Sequence, residues 1–151
     1  MAMFASTLLG QTTASMPDTV AFVGQTNFKI PIYIENLVEL EGLDISIDYN
    51  EMVISCVDYS QNNTVLENYG VQFGVGNCPL KSDICFNITM NTTPLYSGSG
   101  NIIFLECSIE GNDQDYSELI FSEVEIQNID VNAIPGSVKV VTGGCIDSNA
   151  C

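Results

Sequence analysis

Leu43-Asp44-Ile45-Ser46-Ile47-Asp48-Tyr49 alternates apolar and polar side chains almost without fault. Successive strand residues point to opposite faces. The run therefore reads as a half-buried β-strand with Leu43, Ile45, Ile47 and Tyr49 inward and Asp44, Ser46 and Asp48 on the solvent side. The same period governs Phe28-Lys29-Ile30-Pro31-Ile32-Tyr33-Ile34 upstream. Further strand runs are expected at 19–23, 53–59, 69–75, 84–90, 101–110, 118–126 and 137–142. Turn signals separate them, among them Val23-Gly24-Gln25, Ser97-Gly98-Ser99-Gly100 and Pro135-Gly136. Each such sheet has one apolar face, and two of them must meet to exclude water. The expectation is an all-β, nine-stranded jelly-roll β-sandwich.

Composition limits what such a sandwich can do. The 151 residues suit one domain, and the net charge of -16 rests on 19 acidic residues against Lys29, Lys81 and Lys139, with no arginine. A surface of that sign repels phosphate backbones and anionic lipid, so neither nucleic acid nor membrane insertion is expected. No run approaches the ~20 apolar residues of a membrane helix. Mean hydropathy is +0.22 and only 15% of residues are charged, which points to apolar surface covered by a partner. With no histidine in the chain, Ser-His-Asp and Cys-His catalysis are excluded, and the sequence reads as non-enzymatic. The absence of tryptophan, a usual sugar platform, counts against carbohydrate binding as well.

Six cysteines and three N-glycosylation sequons indicate an extracellular or cell-surface setting. The acceptor asparagines are Asn62, Asn87 and Asn91. Many cysteine pairings are open. The spacing favours Cys78 with Cys85 and Cys145 with Cys151, each closing a small loop, and Cys56 with Cys107 bridging the two sheets. No histidine and no CxxC accompany them, so a thiolate metal site is not expected.

Several motifs in order resemble the cohesin domain family. These are Val23-Gly24-Gln25-Thr26, then Ile30-Pro31-Ile32-Tyr33-Ile34, then the strand ending in Asp48-Tyr49-Asn50. Ser97-Gly98-Ser99-Gly100 leading into Ile102-Ile103-Phe104-Leu105, and the closing Gly136-Ser137-Val138-Lys139-Val140, continue the likeness. It covers roughly residues 16–141. The resemblance implies a nine-stranded jelly roll that binds dockerin modules through one flat sheet face, with Asp44 at a position the family often uses. Gly42 stands where the family frequently has a polar residue.

Two further features shape the functional expectation. The loop Gly111-Asn112-Asp113-Gln114-Asp115-Tyr116-Ser117-Glu118 is the best local calcium candidate, through Asp113, Asp115 and Glu118; an ordinary acidic turn is the other reading. No other cofactor is expected. The N-terminus carries Met3, Phe4, Ala5, Leu8 and Leu9, an apolar set suited either to folding back as an extra strand of its own sandwich or to adding a strand to a neighbouring copy. In the second mode the head-to-tail contact builds a filament. The expected organisation is an N-terminal extension at 1–15 acting as donor strand, a cohesin-like sandwich at 16–142 and a cysteine-containing tail at 143–151. The leading functional expectation is a structural subunit of an extracellular filament, with itself as partner. The alternative is a dockerin-binding module using Asp44, Ser46 and Asp48, and a carbohydrate-binding module comes third. For that stripe the other reading is a plain solvated face.

Overall fold

The computed structural model describes residues 10–75, 83–90, 93–127 and 129–143, and they form strands and turns with no helix. Eleven strands are seen among them. They are β1 (Thr12–Ser15), β2 (Asp18–Phe22), β3 (Phe28–Leu40), β4 (Gly42–Tyr49), β5 (Ile54–Ser60) and β6 (Val71–Val75), followed by β7 (Asp83–Met90), β8 (Tyr96–Ile109), β9 (Tyr116–Ile126), β10 (Val131–Ile134) and β11 (Gly136–Val141). They divide into a five-stranded sheet, β10-β1-β3-β8-β5, and a six-stranded sheet, β2-β11-β9-β4-β7-β6.

The sandwich is held by the alternation that the sequence displays. Ile30, Ile32 and Ile34 of β3, with Ile103 and Leu105 of β8, face Leu43, Ile45 and Ile47 of β4, Ile88 of β7 and Val138 and Val140 of β11; all are buried. Burying each such side chain contributes about 1.5–3 kcal/mol relative to leaving it exposed. Pro31 is accommodated within β3 because β1 pairs only with Tyr33, Ile34 and Glu35. The missing N–H of Pro31 therefore costs no bond to β1.

The two strands beyond the expected nine are β1 and β10, of four residues each. They pair with each other in parallel, and β1 then pairs antiparallel with β3. Residues 12–15 thus belong to the sandwich rather than to an extension preceding it. Ala14 lies in the core and Thr12 donates its hydroxyl to the Asn36 carbonyl at 3.0 Å.

Two strands run further than their patterns predict. In β3 the buried positions go 28, 30, 32, 34 and then 37 and 40, since two of the three register shifts in the pairing with β8, between Ile34 and Leu37 and between Leu37 and Leu40, each move the phase by one residue. Asn36 and Glu39, both at positive φ, occupy them. Across the ladder, Ser97-Gly98-Ser99-Gly100 is not a turn but the first part of β8. Ser99 Oγ accepts from the Asn36 N–H at 2.9 Å and Ser97 Oγ from the Glu39 N–H at 2.8 Å, replacing ladder carbonyls. A side chain at Gly100 would collide with Val65.

Candidate functional site: the outer face of the six-stranded sheet

The solvent face of β4 sits in the middle of the larger sheet, and the ladder fixes what lies on either side. Asp44 is opposite Asn87 of β7 and Glu125 of β9, while Ser46 is opposite Cys85 and Glu123. Asp44, Asn87, Glu123 and Glu125 are exposed. Carboxylates directly across a ladder repel, so the Asp44–Glu125 pair is a small cost that the fold carries in the absence of a partner. Among the described residues the one ion pair is Lys29 Nζ to Glu106 Oε1 at 3.5 Å, on the other sheet.

Ser46 is outward but only 6% exposed, because its neighbours close over it; its hydroxyl donates to Glu123 Oε2 at 3.4 Å. The expected stripe of three equivalent residues is therefore uneven. Asp44 is accessible, Ser46 is a buried link to β9, and Asp48 lies near the far end of β4, opposite Ile120.

A shallow depression of about 460 Å³ opens at the Asp44 end of the face, lined by Glu41, Asp44, Asn87, Thr89, Glu125 and Gln127 among others. Gln127, at positive φ just beyond β9, builds its rim. Its side-chain oxygen accepts from the N–H groups of Glu41 and Gly42, and its amide nitrogen donates to the Glu39 carbonyl at 2.7 Å. The corner between β3 and β4 is tied in this way to the end of β9. Sequence reasoning did not find Gln127, Glu123 or Glu125. The acidic alternation of 118–126 was a signal for the two glutamates, masked by the register shift between Ser46 and Ile47.

Other expected site residues fall elsewhere. Asn62 is exposed just beyond β5 and Asn87 is exposed on the acidic face, while Asn91 lies outside the described residues. Cys56 and Cys107 are bonded as expected, but within one sheet: they face each other across the β5–β8 ladder. The correction follows from register, since both strands belong to the five-stranded sheet. Cys85 is disulfide-bonded, and Cys78, Cys145 and Cys151 lie outside the described residues. So do Met3, Phe4, Ala5, Leu8 and Leu9.

The calcium candidates do not converge. Asp113 Oδ1 accepts from the Thr142 N–H at 2.7 Å, tying the turn to the end of β11, and Asp115 Oδ2 accepts from the Asn112 N–H at 2.7 Å, closing the turn itself. The bond from Thr142 holds the Asp113 carboxyl below its ordinary pKa. Glu118 points instead from the outer face of β9, opposite Ser137. Among the described residues no three His, Cys, Asp or Glu side chains gather as a metal site.

No protein-family model matches the sequence, and no curated protein matches it. Solved structures do. The chain is similar to a non-cellulosomal cohesin from the archaeon Archaeoglobus fulgidus, with TM-score 0.70, 19% identity, and coverage of 88% of this chain and 93% of that one. It is similar to the OlpA cohesin of Clostridium thermocellum, solved with a dockerin, at TM-score 0.75, 12% identity and coverage of 87% and 100%. The OlpC cohesin of the same organism, also solved with a dockerin, gives 0.70, 19%, 93% and 100%. The fold is that of cohesin modules, as the sequence motifs imply.

Proposed function

We propose that this chain is a non-catalytic, extracellular protein-recognition module that captures a dockerin-type partner on the acidic outer face of β4, β7 and β9. The observation that carries this reading is the exposed acidic group of Glu41, Asp44 and Glu125 lining a shallow depression on the sheet, with Glu123 further along β9 and no cation beside them among the described residues. Two similar cohesins were solved with dockerins, which supports the partner class. The partner would present lysine or arginine to the carboxylates, relieving the repulsion that the free face bears. An intrachain disulfide supports an oxidising compartment. No helix among the described residues is long and apolar enough to cross a membrane.

Strand donation by Met3, Phe4, Ala5, Leu8 and Leu9 finds no specific observation in its favour, and the same holds for carbohydrate binding. The test is calorimetric titration of a panel of dockerin modules. One or more should bind, and the double variant Asp44→Ala, Glu125→Ala should weaken that binding by about tenfold or more, since truncating charged contacts typically costs over 1.4 kcal/mol. Absence of binding across the panel, or binding indifferent to both substitutions, would overturn the reading.

A further inference from the structure

The other half of the same sheet, β2-β11-β9, has a different surface. Val20 (56% exposed), Phe22 (49%), Tyr116 (53%) and Ile120 (43%) all stand on its outer face, an unusual concentration of exposed large apolar side chains. The register places Lys139 of β11 between Val20 and Tyr116, and in the adjoining row Ser137 between Asp18 and Glu118. Ser137 donates to Asp18 Oδ1 at 2.8 Å, which leaves the rest of both carboxylates facing out. A cleft of about 420 Å³ opens beside them, walled by Tyr116, Ile120 and Pro135.

We propose that this half-face is a self-association surface whose occupant is the same half-face of a second copy, related by a two-fold axis. This inference is independent of the partner reading above. Charge decides the occupant. A chain of net charge -16 repels its own kind almost everywhere, so a self-contact needs a place where it carries a cation. Lys139 is the one lysine of the described residues on this sheet, and it makes no ion pair within 4.0 Å there. Lys29 is on the other sheet and already paired with Glu106. A purely basic partner would set a cation against Lys139, and an acidic one would meet Asp18 and Glu118. A second copy matches both signs, because a two-fold contact is reciprocal: Lys139 of each copy reaches the carboxylates of the other while the apolar side chains stack between.

Sedimentation of the full chain from about 1 to about 500 µM tests this, and the expected result is a monomer–dimer equilibrium within that range. Val20→Asp should abolish the dimer. Lys139→Glu and Glu118→Lys should each weaken it about tenfold, and the two together should restore it, since the exchanged pair keeps its complementarity. Circular dichroism melts check that each variant folds, and the charge-exchanged double variant stands if Val20→Asp does not. A chain monomeric throughout the range overturns the proposal. So does a dimer indifferent to these substitutions, or one lost only on deleting residues 1–9, which would place assembly at the N-terminus.

Discussion

Gln127 and Asp113 show how much of this surface hangs on single polar side chains. Gln127 satisfies two N–H groups and one carbonyl at the β3–β4 corner. Because these groups are near water, Gln127→Ala should destabilise the fold by only about 1–2 kcal/mol in urea titration while loosening the rim beside Asp44. Asp113 acts through charge. The Thr142 N–H favours its ionised form, so its folded pKa lies below the ordinary 3.8. The sign follows: this contribution is present in full above 3.8 and is lost as pH falls through the folded value. Melting temperatures of the wild type and Asp113→Ala should therefore differ near neutral pH and converge in strong acid, and a gap that persists there would contradict the assignment. Asp44 was legible in the sequence, since alternation alone places it outward. Gln127 was not, because its partners are 85 to 88 residues away and one glutamine after a strand carries no local pattern.

Strand extents show where local pattern stops being informative. β4 appears within one residue of its expected bounds, because a clean period of two over a half-buried run has only one structural solution. β3 and β8 overrun theirs: the bulges at Asn36 and Glu39 break the period, and two serines of a segment that resembles a turn, Ser97 and Ser99, supply the missing acceptors. Replacing Ser97 and Ser99 together with alanine should leave two strand N–H groups without those partners and cost about 1–3 kcal/mol in denaturant titration. β1 and β10 were missed because four residues are too few to show a period, and their stability comes from pairing with partners distant in sequence. The Cys56–Cys107 bond closes a separation of 51 residues between β5 and β8. Removing it by a double Cys→Ser change should cost about 2–4 kcal/mol, most of it by freeing the unfolded chain, and an unchanged denaturation midpoint would count against that.

The all-β sandwich could be read from the amino acids because β4 and the first half of β3 advertise their buried faces, and the ordered motifs carried the cohesin resemblance. The site was only half legible: Asp44 came from one strand, but the cluster with Glu123 and Glu125 exists only once register brings β9 beside β4. The calcium reading of the 111–118 loop gains no support among the described residues, where Asp113 and Asp115 accept from backbone N–H groups that a sequence does not reveal. What emerges is a sheet with two unlike halves, acidic around Asp44 and apolar with mixed charge around Lys139. Capture of a basic partner by the acidic half should weaken as salt rises, chiefly through slower association. The most direct test is amide chemical-shift mapping of the labelled chain during titration with a dockerin that binds it. Shifts should concentrate on β4, β7 and the Glu123–Glu125 end of β9, strongest around Asp44 and Asn87; shifts confined to the five-stranded sheet or to β2 and β11 would contradict capture on the acidic face.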